Sequence, residues 1–362
     1  MHALSLGPTN SMVRVGKAAA ARKLAAAAVY GGGGLSVAGA SLYGVLRAEA
    51  GLARRAIGNA EGEPPGATGW YGHGRTGPAL KVALLGDSSA AGYGVESVQE
   101  TPGAHLASGL AEAADRRVYL RSVAFVGAQT RDLDKQIAEV LTIEPHVAVI
   151  LIGTNDVTHA RRPSESVRLL AEGVRRLRDA DVDVVVGTCP DLGTIEPIAP
   201  PLKQVARHWS RRLAAAQAIA TVEAGGRSVS VGSVLGPEFA ATPALLFGPD
   251  GFHPSAAGYS SMASVLLPSV LAAVGVIPDE DLVPAAYRGE TVLPIAQAAV
   301  EASRVPGTEI DGTEVAGSTR GARGRWVQIR RRRRQPEADS EAPEADDDPE
   351  PSTATDPAGS VH

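Results

Sequence analysis

Three short runs of this sequence hold residue types capable of acyl-transfer chemistry. Gly86-Asp87-Ser88-Ser89 closes an apolar run and offers a serine hydroxyl at a turn. Serine is a weak nucleophile by itself and needs a base within hydrogen-bond reach. A candidate base stands far downstream in Asp250-Gly251-Phe252-His253-Pro254, where a carboxylate and an imidazole lie three residues apart. That spacing suits a histidine whose second nitrogen is oriented by an acid, as a serine base requires. Between them, Gly153-Thr154-Asn155-Asp156 supplies an amide, Asn155, able to donate to a developing oxyanion. Such a donor is worth roughly 2.7–4 kcal/mol. Gly127, in Phe125-Val126-Gly127-Ala128-Gln129-Thr130, lets a backbone N–H approach a substrate closely. Each run taken singly reads as an ordinary turn; their conjunction carries the weight.

The elements that must position these runs are legible from periodicity. Runs rich in β-branched residues occur at 82–85, 118–124, 147–152, 182–187 and 228–234. Segments with helical spacing separate them: Leu133, Gln136, Ile137, Val140 and Leu141; Val167, Leu170, Ala171, Val174 and Leu177; Val205, Trp209, Leu213 and Ala216. A last helix over 256–273 closes the set. Alternating strands and helices of this length predict an α/β fold, a parallel five-stranded sheet covered on both faces, over residues 80–275. In such sheets ligands sit outside the carboxyl ends of the strands. The runs 86–94, 125–130, 153–163, 189–201 and 235–254 fall there, and they include every candidate residue above.

In this order and spacing the chain resembles the SGNH (GDSL-like) hydrolases, whose four blocks run Ser, Gly, Asn, His with an Asp three residues before the His. Gly86-Asp87-Ser88 matches the first block, Gly127 the second, Gly153-Thr154-Asn155-Asp156 the third and Asp250-Gly251-Phe252-His253-Pro254 the last. The resemblance is greatest to exported actinobacterial members, with an N-terminal apolar segment and an Arg-rich C-terminal extension. It implies a three-layer, flavodoxin-like sheet and hydrolysis of carboxylic esters through an acyl-enzyme. Ser88 would attack, His253 would shuttle the proton and Asp250 would orient it. The N–H groups of Ser88 and Gly127, with the Asn155 amide, would form the oxyanion hole. No cofactor or metal is implied. Two positions depart from the pattern: Ser89 stands where the name-giving motif has leucine, and Ser122 where the second block has asparagine.

Rival readings are weaker. Asp156-Val157-Thr158-His159 is a second Asp-x-x-His, but the family order and Pro254 favour Asp250 and His253, which leaves His159 as a pocket-lining residue. The chain has no G-x-S-x-G elbow and no HExxH pair. The small-residue loop 86–94 is compatible with a phosphate- or flavin-binding module, yet it lacks the GKS/GKT signature. An SGNH-fold protein that binds envelope glycans or lipids without hydrolysis is the other class of function. Among esters, short-chain, lipid, thioester and glycan acetyl substrates all stay open. Leu192, Ile195 and Ile198, in the Pro-rich loop 189–201, favour acyl groups over bare sugars.

Composition bounds the rest. Hydrophobic residues make up 44% and aromatics 4%, so the core is aliphatic. A single cysteine, Cys189, excludes an internal disulfide and reads as a small buried apolar group. The net charge of −5 conceals a division: residues 335–362 hold nine carboxylates and no Lys or Arg, so the remainder carries +4. That is too little for a nucleic-acid-binding surface. Arg14, Lys17, Arg22 and Lys23 form a basic flank over 1–23, followed by an uncharged run over 24–46 that is long enough to cross a bilayer. It reads as a signal peptide or membrane anchor, with small-x-small sites at Ala38-Gly39-Ala40 and Ala48-Glu49-Ala50. The protein is therefore expected to be exported and associated with the membrane or cell envelope, acting on a small-molecule or lipid ester. Residues 47–79 read as a linker, 276–325 as an extension with one helix over 295–303, and 326–362 as a disordered tail containing Arg330–Arg334.

Overall fold

The computed structural model describes residues 44–45, 47–49, 51–52, 63–195, 197–231, 243–277, 291–302, 308–312 and 326–331. All five expected strands are present: β2 (Leu80–Gly86), β3 (Val118–Ser122), β4 (Val147–Leu151), β5 (Asp183–Gly187) and β6 (Arg227–Val229). They pair in parallel in the order β3-β2-β4-β5-β6. This is the flavodoxin-like order, in which the chain reverses direction across the sheet at β2. Residues 232–234, expected to continue β6, lie outside the described residues.

Alternation along each strand builds the layers. Val82 and Leu84 of β2, Val147 and Val149 of β4 and Val185 of β5 face one core. Helices α2 (Pro102–Ala114) and α8 (Ala256–Ala273) cover it. Ala83, Leu85, Ala148, Ile150, Val184 and Val186 face the other core, under α3 (Leu133–Val140) and α5 (Pro163–Arg178). Helix α8 is apolar enough by composition to cross a bilayer, with mean hydropathy 1.3, but 67% of it is buried in the domain. It is apolar nearly all round because it is enclosed nearly all round. The remaining helices are α1 (Ser88–Ala91), α4 (Thr154–Thr158), α6 (Leu202–Glu223), α7 (Pro243–Leu246) and α9 (Ile295–Ala302).

Several expectations are corrected. Among the described residues the sheet has nine strands, the five parallel ones extended at both edges. Within the expected linker, β1 (Gly69–Tyr71) pairs antiparallel with β3, and Tyr71 donates its hydroxyl to Ala67 O at 2.7 Å. At the far edge β8 (Thr308–Gly312) pairs with β6, then β9 (Trp326–Arg331) and β7 (Thr291–Pro294) follow, all antiparallel. Arg330 and Arg331, assigned to a disordered tail from sequence, are therefore strand residues; 332–362 lie outside the described residues. The extension is fixed by an ion pair, Arg227 Nη1 to Glu309 Oε1 at 3.0 Å, and by Ser269 Oγ donating to Glu309 Oε2 at 2.8 Å. Glu309 is fully buried. Ala298, Ala299 and Ala302 of α9 pack with Ile310 against Ala218 of α6.

Helix α2 was missed because its Ala- and Gly-rich sequence gives a weak periodic signal. The face of α6 is also corrected: Trp209 is 44% exposed, whereas Ser210, Gln217 and Thr221 are buried. Two of these polar residues, Ser210 and Gln217, turn inward to serve backbone groups at and beyond the strand ends. Ser210 Oγ accepts from Leu192 N at 3.2 Å. Gln217 accepts from Cys189 N at 2.7 Å and donates to Ile152 O at 2.9 Å, bridging the ends of β4 and β5. Cys189 itself is buried, and that burial raises its thiol pKa well above the ordinary value.

Candidate active site

The crevice at the β2/β4 carboxyl ends is built first by backbone constraints. Gly86 has φ +144°, and a Cβ there would lie 1.9 Å from Leu151 O, so only glycine lets β2 pass β4 at this point. Pairing with β3 stops at Leu84 opposite Ser122, leaving Gly86 without a strand partner on that side. The buried Gln136 amide takes the strand's place. Its Oε1 accepts from Gly86 N at 2.8 Å, and its Nε2 donates to Gly86 O at 2.9 Å. Asp87 then donates its N–H to Leu151 O at 3.0 Å and caps α1 by accepting from Ser89 N at 3.0 Å. Gly92, in the left-handed region, ends that single turn. Ser88 is thereby fixed at the start of α1.

The partner comes from a second turn. Gly251 N donates to Gly248 O at 2.9 Å with Gly251 at φ +61°, and Gly248 N donates to His253 O at 2.8 Å. Asp250 Oδ1 accepts the N–H groups of Phe252 and His253, both at 2.9 Å. Its other oxygen, Oδ2, lies 2.6 Å from His253 Nδ1. His253 Nε2 lies 3.0 Å from Ser88 Oγ. The imidazole is held between ring edges, Tyr93 at 4.7 Å and Phe252 at 4.8 Å between centroids. Tyr93 is held in turn by Tyr259, whose hydroxyl donates to Tyr93 O at 2.7 Å.

Electrostatics separate the two acids next to these residues. Burial pushes the Asp250 carboxyl up, but the His253 ring and the N–H groups of Phe252 and His253 outweigh it, so its pKa is lowered. It is held as a carboxylate against the imidazole. Asp87 is the reverse case. Burial is the largest influence and the charge of Asp156 adds to it, against the opposing N–H groups of Ser89, Gly153 and Thr154; its pKa rises to about 7.

The remaining sequence-predicted residues lie beside this line. Gly127 is exposed, with φ +86°, in a loop whose Phe125 N–H donates to Gly86 O at 3.4 Å. Asn155, at the start of α4, donates its amide to Ala128 O at 3.0 Å. The structure thus joins Ser88, His253 and Asp250 directly, and joins Asn155 to the loop that carries Gly127. The rival pair is not formed. Asp156 accepts from Thr130 N at 3.1 Å, Thr130 Oγ1 at 2.9 Å and Ser166 Oγ at 2.7 Å. His159 is exposed, with Nδ1 2.9 Å from Asn155 O. Sequence reasoning missed Gln136, Tyr93 and Phe252 as positioning residues. Gln136 had a signal, a polar side chain on the apolar face of its helix.

Comparison with known proteins identifies the family. Residues 84–260 match the GDSL-like lipase/acylhydrolase family. The GDSL-like esterase Rv1075c of Mycobacterium tuberculosis is 39% identical over 249 residues, covering 65% of this chain and 79% of that protein. Among solved structures, LAE5, an α/β hydrolase from the metagenome of Lake Arreo, Spain, is 21% identical with a TM-score of 0.43, covering 54% of this chain and 95% of its own. A catalytic mutant of Axe2, an acetylxylan esterase from Geobacillus stearothermophilus, is 19% identical with a TM-score of 0.43, covering 57% and 100%. The family match spans both the Ser88 and the His253 blocks, and the mycobacterial likeness extends over most of that relative's length: the chain belongs to the GDSL-like lipase/acylhydrolase family.

Proposed function

We propose that the protein hydrolyses carboxylic esters through an acyl-enzyme formed on Ser88. The observation that carries this reading is the continuous line from Ser88 Oγ to His253 Nε2 at 3.0 Å and from His253 Nδ1 to Asp250 Oδ2 at 2.6 Å. As Ser88 Oγ bonds to the ester carbonyl carbon, its proton passes to His253 Nε2, and Asp250 stabilises the imidazolium. Collapse of the tetrahedral species breaks the bond to the alcohol oxygen, which leaves with the proton from His253. Water then attacks the acyl carbon by the same route and frees Ser88. The Ser88 and Gly127 N–H groups and the Asn155 amide serve the oxyanion. One hydrogen of that amide goes to Ala128 O, leaving the second for substrate. Every charge that develops has a protein partner, so the proposed reaction is metal-independent.

The mycobacterial relative is named an esterase, which supports the same reaction class here. The substrate is a small-molecule or lipid ester, met outside the cytoplasm if the run 24–46 directs export. Hydrolysis of p-nitrophenyl acetate by wild type and Ser88→Ala, in the presence of EDTA, tests the assignment. Loss of turnover in the variant alone is expected. Equal activity in both removes Ser88 as nucleophile, and inactivity of both favours a binding protein of the same fold.

A further inference from the structure

The N-terminal segment does not enter the domain at an arbitrary place. Residues 47–49 and 51–52 are helical, and Glu49 Oε2 accepts from Leu202 N at 2.9 Å. Leu202 opens α6, which begins at the carboxyl edge of the sheet after β5. Its side chain packs in one cluster with Ile195, Ile198 and Phe252, and Phe252 touches the ring of His253. The chain therefore meets the fold at the apolar cluster on which Phe252, the neighbour of the candidate base, is packed. The same contact bears on processing: a cut after Ala50 would remove the carboxylate that Leu202 N–H is bonded to.

Three large apolar side chains are exposed in the segments at this edge, alongside the exposed cations Arg161 and Arg162. Phe125 and Val126 are each 46% exposed, and Leu245 is 62% exposed. Their placement is tied to the site on both sides. Phe125 N donates to Gly86 O, two residues before Ser88, and Leu245 O accepts from Ser255 Oγ at 2.7 Å, two residues after His253. The five parallel strands span about 19 Å from β3 to β6, at about 4.8 Å per gap.

We propose that the carboxyl edge of the sheet lies against a lipid bilayer, held there by the N-terminal segment, with Phe125, Val126 and Leu245 in the interface and the Ser88–His253 site opening toward the lipid. The proposal rests on the reading of 24–46 as a retained membrane anchor. A run of 23 residues is long enough, were it helical, to span about 35 Å against a hydrocarbon core of about 30 Å. Only two residues separate Leu46 from Glu49, three residue steps or at most about 10 Å of chain. With Glu49 bonded to the first residue of α6, at the carboxyl edge of the sheet, the amino edge cannot be the one facing the membrane. Ester substrates would then enter from the lipid side.

The test uses the full chain in vesicles of phosphatidylglycerol and phosphatidylethanolamine. Cys189 is 1% exposed, so an environment-sensitive thiol dye goes to an introduced cysteine. Phe125→Cys and Leu245→Cys report on the proposed face, with Val126→Cys as a second reporter should Phe125→Cys fail to fold. Glu112→Cys, exposed near the end of α2, reports on the opposite edge. Quenching by doxyl-labelled lipid is expected at 125 and 245, several-fold stronger than at 112. A membrane-retained chain with equal quenching at all positions overturns the orientation while leaving the anchor. A chain found only in the soluble fraction overturns the anchor and the orientation with it. The hydrolase reading is scored separately, by ester turnover of the same unlabelled protein with Ser88→Ala as control.

Discussion

The Gln136 clamp on Gly86 offers a sharp test of how this site is held. Replacing Gln136 with leucine keeps the side chain's size and apolar fit but removes both hydrogen bonds to Gly86. Gly86 N–H would be left buried and unpartnered, at a cost of about 1–3 kcal/mol. Gly86 O would retain the longer bond from Phe125 N, so its loss is nearer 0.5–1.5 kcal/mol. The sum, about 1.5–4.5 kcal/mol, is a large share of a domain's stability. Urea unfolding should show it as a lower midpoint with an unchanged slope. Because Gly86 lies two residues before Ser88, kcat should fall by up to about 100-fold, with KM little changed. Gln136→Glu separates clamp from packing. Only the protonated acid can donate to Gly86 O while accepting from Gly86 N, so this variant should recover stability as pH falls. A leucine variant within about 0.5 kcal/mol of wild type, with normal kcat, would refute the clamp.

Other perturbations follow from the same geometry. Asp250→Asn should lower kcat by roughly 100- to 10,000-fold in a p-nitrophenyl ester assay, and a loss below tenfold would argue against Asp250 as the orienting acid. The lowered pKa of Asp250 also means that its contribution to stability holds above the unfolded value and is lost as pH falls through the native one. Asp87 acts in the opposite sense. Its native pKa of about 7 exceeds the unfolded 3.8, so the native state keeps a proton that the unfolded chain releases. Stability should therefore decline from pH 4 to 7, by on the order of 4 kcal/mol. Asp87→Asn should flatten that decline in urea titrations at several pH values, and parallel curves would refute it. Gly86→Ala places a Cβ 1.9 Å from Leu151 O and should yield misfolded protein; a native circular dichroism spectrum with unchanged Tm would contradict the close approach.

What was legible in the sequence was what depends on local chemistry and period. Five β-branched runs and the Gly, Ser, Asn and His punctuation at their ends placed the sheet and the crevice, because alternation and turn residues are local signals. Long-range compensation left little trace. Nothing near Thr308 or Trp326 announces that these segments pair antiparallel beyond β6, because an edge strand of mixed polarity resembles a polar tail. Trp209 drew the predicted face of α6 toward itself, whereas the true face is set by Gln217 and Ser210 serving backbone groups of distant loops. The two Asp-x-x-His runs look alike in sequence. Only the fold shows Asp156 occupied by Thr130 and Ser166, and Asp250 turned to His253.

The far edge of the sheet bears on where this domain ends. The family match closes at residue 260, before β7, β8 and β9 begin. Yet β8 covers β6, and Glu309 sits fully buried against Arg227 and Ser269. A chain cut after α8 would open the hydrogen-bonding edge of β6 to other molecules, inviting intermolecular strand pairing. It would also take the carboxylate away from a mostly buried arginine. The stretch that the family match covers and the stretch joined into one sheet are therefore different lengths of the same chain. The last strands cover the edge of β6 and pass the outer edge of the sheet to the four-residue strand β7, a short strand that offers little template for pairing.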